Sequence, residues 1–402
     1  MRPHLDVQTR PAALSVAAAC AIAAVALAVA MGIGRFAFTP LLPLMVRDGA
    51  LAQSAGAWLA ASNYLGYLAG ALTASRLGLS LPALMRLSLA GTVVATAAMG
   101  AVDGLAAWAC LRFLAGVFSA WTLVATSAWV LKHLAQAGRA DLSGMVYAGV
   151  GLGIAGAGLF CLVAARPGIF ASQLWLELAA VAALLVVVPD LVLGRPSEVS
   201  APLAPMSPSD TPERCTGLVI CYGVLGFGYI LPATFLPALA REVVDNPQIF
   251  GLAWPVFGIA AALSTVVTAR CFGQSNRLRV WAASHVLMAT GVVLPSLWLT
   301  PLTIAISALL VGSTFMVVTM IGMQEARARA PGNPTALLGL MTAAFAIGQL
   351  AGPVVSGVLD FLPGGHRAAL SHALQLAAFA LALSAGYLWR YSRPVWSKAQ
   401  AA

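Results

Sequence analysis

Charged side chains deep inside long apolar stretches are the residues of this sequence best placed to do chemistry. Arg35, Arg112 and Glu177 are the clearest of them, and His285 is a further candidate. An uncompensated arginine in hydrocarbon costs at least about 2.5 kcal/mol, so it normally faces a partner or a watery cavity. Because a guanidinium holds a carboxylate or phosphate by two parallel hydrogen bonds, the arginines predict a site for an anion. The alternative is a structural arginine paired with Glu177 or with free backbone carbonyls.

The stretch MGIGRFAFTPLLPLM, residues 31–45, gives Arg35 an unusual setting. Pro40 and Pro43 interrupt the hydrogen bonds of a helix, while Gly32 and Gly34 permit backbone movement or close packing. We therefore expect this helix to bend around a site that Arg35 reaches.

The composition indicates a membrane protein. Of the 402 residues, 60% are hydrophobic and 9% are charged, whereas soluble domains have about 45–50% apolar and about 25% charged residues. A helix needs about 20 mostly apolar residues to cross the hydrocarbon core, because its backbone polar groups must be satisfied internally.

The first apolar stretch is too long for a secretory signal and has no convincing cleavage site, so we interpret it as a helix. The sequence predicts twelve spans, at residues 12–46, 53–75, 82–102, 105–131, 142–165, 171–193, 216–240, 249–270, 279–299, 302–324, 336–359 and 368–390.

The net charge of +9 predicts how the chain is threaded. With both termini in the cytoplasm, the inner segments carry most of the lysines and arginines, and the outer loops carry only Arg47, Arg166, Arg241 and Arg367. This asymmetry follows the positive-inside rule and agrees with an even number of spans. The basic surplus is expected to face anionic lipid headgroups in the bacterial cytoplasmic (inner) membrane. It does not indicate a nucleic-acid partner, since no stacking aromatic residues interleave it.

The chain is predicted to consist of two related halves. Residues 194–214 are polar and rich in proline and serine, which is typical of a linker, here expected to be cytoplasmic. Six-helix bundles are then expected at residues 1–193 and 215–402. A shift of 194 residues places Gly32 on Gly226 and Gly34 on Gly228, and a shift of 195 places Gly144 on Gly339 and Gly153 on Gly348. The nearly constant offset indicates a parallel internal repeat.

Twelve spans, a repeat of six plus six and a central linker resemble the major facilitator superfamily over essentially the whole chain. The segment SRLG, residues 75–78, is similar to the loop motif of that superfamily, with Ser75 in place of its usual Asp. Arg112 and Gly116 match its Arg-x-x-x-Gly element in the fourth span. More narrowly, GIGRFAFTPLLPLM, YAGVGLGI and GFGYILPATFLP resemble the branch labelled YbfB/YjiJ. The resemblance implies an all-α membrane protein with the major facilitator fold.

The resemblance also implies which helices surround a substrate. Spans 1, 4, 7 and 10 line the central cavity of that fold. Arg112 is therefore favoured as an anion ligand. Arg35 is expected either to bind the anion or to have a structural role. Glu177 lies on the peripheral sixth span, at a depth similar to both arginines, and is interpreted as a structural counter-ion. The expected cavity wall also contains polar and aromatic residues, namely Phe36, Thr39, Trp121, Thr122, Tyr222, Tyr229, Thr234 and Thr314.

Small and polar residues on spans 2, 5 and 11 predict close helix contacts. Three small-xxx-small pairs occur there, Gly66 with Gly70, Gly149 with Gly153 and Gly348 with Gly352. In the superfamily these spans close the two halves against each other, so we expect the pairs at that interface. The alternative is that glycine is simply frequent in membrane helices. Asn63, Tyr64 and Gln349 are expected to hydrogen-bond between helices, with substrate contact as the alternative.

These observations together predict a secondary active transporter that moves a small organic anion by alternating access. No Walker-type phosphate loop, metal-ligand spacing or catalytic cluster occurs in the sequence, so we expect neither ATP, a cofactor or metal, nor enzymatic activity. A proton is the default coupling ion, and a monomer in the lipid bilayer is expected. Efflux of hydrophobic or cationic compounds is the first alternative, and a non-transporting polytopic membrane protein is the second.

Overall fold

The computed structural model describes residues 14–52, 55–193, 215–243, 251–331, 333–361 and 365–393. Within these residues the chain forms long helices that coincide with the twelve predicted spans. They are numbered α1 (Val16–Arg47), α2 (Ala55–Thr73), α3 (Leu81–Ala101), α4 (Leu105–Gln136), α5 (Ser143–Ala164), α6 (Ala171–Leu193), α7 (Thr216–Val243), α8 (Ala253–Cys271), α9 (Arg277–Leu297), α10 (Pro301–Arg329), α11 (Pro334–Leu359) and α12 (Gly365–Tyr391). The predicted linker, 194–214, lies outside the described residues.

Helix α2 differs in polarity from the others. Eleven helices in the described part of the chain are long and apolar enough to cross a membrane, and α2 is not among them. Its 19 residues correspond to about 28 Å of helix, so its length is sufficient. Asn63 and Tyr67 contribute to its polarity, and both are buried inside the protein. Helix α2 is therefore a polar member of the bundle whose polar side chains face inward.

The helix contacts repeat between the two halves. In the first half α2 packs on α4, α3 on α4 and α6, and α1 on α5. The second half repeats this pattern six helices later, with α8 on α10, α9 on α10 and α12, and α7 on α11. The halves meet through α5 against α8 and through α2 against α11, and the same shift relates these two contacts. The predicted parallel repeat of two six-helix bundles is confirmed.

Two glycines sit at equivalent places in the two interfaces between the halves. A Cβ atom at Gly144 on α5 would collide with the backbone of Thr265 on α8. A Cβ atom at Gly339 on α11 would lie 2.7 Å from the carbonyl oxygen of Ala71 on α2. Thr265 follows Ala71 by 194 residues and Gly339 follows Gly144 by 195, so the two contacts are copies of one arrangement. Close approach of the helix backbones therefore joins the halves.

The six glycines that were expected at this interface pack inside the halves instead, which corrects the prediction. The neighbour that a Cβ atom would meet belongs to α4 for Gly66 and Gly70, to α1 for Gly149 and Gly153, and to α7 for Gly348 and Gly352. On α5 the glycines facing α8 are seven residues apart, at Gly144, Gly151 and Gly158. With 3.6 residues per turn, this row lies on the opposite side of α5 from Gly149 and Gly153.

One end of the bundle carries most of the arginines of the connecting loops. This basic end contains Arg76 after α2, Arg139 before α5 and Arg277 at the start of α9. The halves touch here, because Gln324 Nε2 on α10 donates a hydrogen bond of 2.7 Å to Ser143 Oγ on α5. The structure is therefore closed between the halves at the basic end.

We predict that Gly339→Leu opens the basic end. The added side chain cannot fit against the α2 backbone, so the halves must separate there. Pulsed EPR between spin labels at Ala137→Cys and Ala328→Cys, with the exposed Cys110 and Cys271 replaced by serine, should show a longer distance in this variant.

Gly357→Leu on the same helix is the matched control, because nothing lies within 4 Å of a Cβ atom at Gly357. Its distance distribution should equal that of the parent protein. A Gly339→Leu variant with the parent distribution would show that this contact does not hold the basic end closed.

Candidate substrate site

Helix α1 changes its hydrogen-bond pattern around Arg35. Residues Val16–Leu27 are α-helical, Ala28–Phe36 form a π-helix, and Phe38–Arg47 return to the α-helix. In a π-helix each carbonyl accepts from the amide five residues later. For the carbonyl of Arg35 that residue is Pro40, which has no amide hydrogen. Pro40 therefore cannot donate to this carbonyl.

Arg112 on α4 donates to this carbonyl and to the one before it. Its Nη1 donates to the carbonyl of Gly34 and its Nη2 to the carbonyl of Arg35, both at 3.0 Å. The guanidinium lies 4.6 Å from the ring centre of Phe38, and the side chain is 3% exposed. Asn63 Nδ2 donates to the carbonyl of Arg112 at 2.9 Å and so ties α4 to α2. Arg112 thus stabilises the irregular part of α1, which is the structural alternative of the sequence analysis.

Arg35 points toward the interface between the halves. Its guanidinium carbon lies 3.8 Å from the ring centre of Tyr67 and within 6 Å of the rings of Phe36, Tyr64 and Phe345. Its Nη2 donates to Oε1 of Gln349 on α11, so a predicted interhelical hydrogen bond is present and crosses between the halves. Arg35 is therefore the stronger candidate ligand of the two arginines, whereas the sequence favours Arg112.

The donors around Arg35 are not all used. Arg35 is 3% exposed and Gln349 is 0% exposed, yet Nε and Nη1 of Arg35 and Nε2 of Gln349 have no hydrogen-bond partner. Nε1 of Trp254 on α8 is also buried without a partner. Buried polar groups are nearly always hydrogen-bonded in proteins. Free N–H groups beside a positive charge can donate to acceptor oxygens, such as those of a carboxylate.

A row of stacked rings extends from Arg35 across the second half. Phe345 stacks on Tyr229, Tyr229 on Phe315, Phe315 on Phe257 and Phe257 on Trp254, with centroids 4.9–6.2 Å apart. We call these five residues the aromatic ladder. They come from α7, α8, α10 and α11, whereas Arg35 belongs to α1. One half therefore supplies the charge and the other supplies an apolar surface.

Some of the predicted wall residues lie at this site. Phe36 contacts Trp254 and Phe315 edge to face, and Tyr229 belongs to the aromatic ladder. Tyr222 lies 5.7 Å from Phe345, centroid to centroid. Thr234 is exposed on α7. Thr39 is half-buried on α1, one turn beyond Arg35.

Three other predicted wall residues hydrogen-bond away from Arg35, and their place in the wall stays a prediction. Trp121 donates to Thr73 at 2.9 Å, Thr122 to Ser88 at 2.7 Å, and Thr314 to the carbonyl of Leu310 at 2.6 Å. The first two bonds join helices within the first half, and the third stays on α10. Each of these side chains therefore satisfies its polar group without a ligand.

Glu177 does not act as the expected counter-ion. It accepts a hydrogen bond of 2.9 Å from Gln173, four residues earlier on α6. No ion pair joins it to Arg35 or Arg112 in the described part of the chain. Similar depth along different helices was a weak criterion, because it does not specify the direction in which a side chain points.

Tyr67, Phe345 and most of the aromatic ladder are not among the residues predicted from the sequence. Two features of the sequence do point to aromatic residues near Arg35. Phe345 and Gln349 are four residues apart and share one face of α11. The offset of 194 also places Arg35 on Tyr229, so the repeat itself points to an aromatic residue opposite the arginine.

Two six-helix bundles related by a parallel repeat define the class of protein: a secondary transporter with the major facilitator fold. Residues 27–388 match the model of the family described as "Uncharacterised MFS-type transporter YbfB", and the chain belongs to this family. The human organic anion transporter MFSD10 (TETRAN) has a similar structure, with a TM-score of 0.72 and 16% sequence identity over 92% of this chain and 99% of that one. No curated protein shows significant sequence similarity to the chain.

Stability measurements should separate the roles of the two arginines. Arg112→Gln leaves at least one buried carbonyl of α1 without its donor, at a cost of about 1–3 kcal/mol. We expect it to lower the melting temperature and the folded yield. Arg35→Gln removes a buried charge with two unused nitrogens, so its melting temperature should equal or exceed that of the parent. A larger loss of stability in Arg35→Gln than in Arg112→Gln would contradict these roles.

Proposed function

We propose that this secondary transporter carries small organic anions in which a carboxylate is attached to an aromatic or similarly flat apolar body. The carboxylate binds Arg35 and Gln349, and the apolar body lies against the aromatic ladder. The free N–H groups beside the buried charge of Arg35 are the observation that carries the proposal. Alternating access then exposes this site first on one side of the membrane and then on the other.

The chemistry of the site supports this substrate class. The Nε and Nη1 groups of Arg35 can both donate to one carboxylate, and Gln349 Nε2 offers another donor for the same oxygens. A bound carboxylate also replaces the missing counter-ion of Arg35. The aromatic ladder favours a flat ring by stacking, which contributes about 0.5–1.5 kcal/mol per aromatic pair beyond the burial of area.

The likeness to MFSD10 is consistent with the proposal but does not carry it. That protein is described as an organic anion transporter, and at 16% identity the likeness concerns the fold. The substrate class proposed here rests on Arg35, Gln349 and the aromatic ladder.

Efflux of hydrophobic or cationic compounds is the second candidate function, because the aromatic ladder alone would suit them. A cation would bind the same rings through their faces. It would also lie beside the guanidinium of Arg35 in a buried site, where like charges repel strongly. The preference between an anion and a cation of the same shape therefore decides between the two functions.

Binding to the purified full-length protein should follow charge and shape together. We expect benzoate to bind more tightly than benzamide, benzylamine and acetate, because only benzoate combines the carboxylate with the ring. Arg35→Gln should weaken benzoate binding at least about tenfold, the loss of about 1.4 kcal/mol, since a charged hydrogen bond contributes about 1.5–3 kcal/mol. Isothermal titration calorimetry in detergent measures all four affinities.

Arg166→Gln is the matched control, because it removes an exposed arginine outside the site. Its benzoate affinity should stay at the parent value. Tighter binding of benzylamine than of benzoate would reject the anion site and favour efflux of cations.

We further propose that the protein lies in a bacterial cytoplasmic membrane with the basic end in the cytoplasm. The positive-inside rule supports this orientation, since Arg76, Arg139 and Arg277 gather there. The same orientation would put the chain termini and residues 194–214 in the cytoplasm.

Cysteine labelling tests the orientation. In a background without native cysteines, Asp103→Cys should react with a membrane-impermeant maleimide added to intact spheroplasts. Ser275→Cys, at the basic end, should react only after the membrane is permeabilised. Both residues are exposed, so access to the reagent depends on the side of the membrane. The reverse labelling pattern would invert the proposed topology.

A further inference from the structure

The positive charge of Arg35 has no carboxylate partner in the described part of the chain. The described ion pairs lie elsewhere: Glu325 with Arg277 and Arg329, Asp190 with Arg86, Asp48 with Arg47, and Asp141 with Arg139. What compensates the charge is the hydrogen bond to Gln349 and the surrounding aromatic rings.

Part of this compensation comes from the opposite half. Arg35 lies on α1, while Gln349 and Phe345 lie on α11. Access to the site from the basic end requires the halves to separate where α2 meets α11. That movement would take Gln349 and Phe345 away from the guanidinium. The empty protein would lose these contacts before water reaches the guanidinium, and this loss of compensation raises the energy of the opening step.

We infer that the protein is an anion exchanger. The inference rests on the proposed anion site and deepens it. A bound carboxylate neutralises Arg35 and moves with it, so the loaded protein reorients rapidly while the empty protein stays closed at the basic end. One anion must therefore return for each anion that crosses. The exchange of one carboxylate for another moves no net charge and needs no coupling proton.

Flux measurements in proteoliposomes test the exchange directly. Vesicles containing the full-length protein are loaded either with unlabelled benzoate or with buffer, and the uptake of external carbon-14 benzoate is followed. We expect initial uptake into the benzoate-loaded vesicles to be at least about tenfold faster, which corresponds to a barrier difference of about 1.4 kcal/mol. An imposed membrane potential should leave the exchange rate unchanged.

Equal uptake into both kinds of vesicle would overturn the inference, as would accumulation in buffer-loaded vesicles driven by a proton gradient. The absence of benzoate flux in every sample would instead reject the substrate class of the proposed function. A second measurement, made without any substrate, therefore tests exchange independently of that class.

This second measurement uses the spin-label pair at Ala137→Cys and Ala328→Cys. Without ligand, the parent protein should show the short distance of the closed basic end. Arg35→Gln should add the longer distance seen in Gly339→Leu, because the variant loses the charged hydrogen bond to Gln349 and the cation–π contact with Phe345 that join the halves. Arg166→Gln should behave as the parent. If the unliganded parent shows the longer distance in the same proportion as Arg35→Gln, the charge does not hold the empty protein closed and the exchange mechanism is wrong.

Discussion

The arrangement of the site depends on the two hydrogen bonds from Arg112 to the backbone of α1. Inside a membrane every carbonyl needs a donor, and Pro40, five residues after Arg35, has no amide hydrogen to offer the carbonyl of Arg35. Arg112 satisfies this carbonyl and that of Gly34 from α4. The irregular backbone is thereby held in a single shape, and the side chain of Arg35 is directed at the interface between the halves. One arginine thus stabilises the helix that carries the other.

The two halves contribute different groups to the candidate site. The first half contributes a charged group on a locally distorted helix, and the second contributes Gln349 and the stacked rings of the aromatic ladder. Neither half forms the site alone. A ligand that contacts both is sensitive to their relative position, which is the property that a carrier needs if binding is to be coupled to movement between access states.

The sequence predicts the fold well and the site only in part. Apolar length, the positions of arginine and the offset near 194 are properties of whole segments, and they were sufficient for the spans and the repeat. The direction of a side chain depends on helix rotation, to which those properties are insensitive. Glu177 was therefore assigned the wrong partner, and Gly149 and Gly153 were assigned to the wrong neighbouring helix. The hydrogen bonds of Arg112 to the backbone of α1 were not predictable, because the π-helix has no clear signature in sequence.

The correspondence of Arg35 with Tyr229 across the repeat has an evolutionary meaning. If the halves descend from a duplicated gene, the same position has become a cation in one copy and a ring in the other. Selection can then act separately on the charged residue, Arg35, and on the aromatic residues around Tyr229. Under the proposed function, mutations among Tyr229, Phe257 and Phe315 would alter which carbon skeleton is accepted, while Arg35 would keep the preference for a negative charge. Descendants of such an ancestor could diversify in substrate while keeping one mode of recognition.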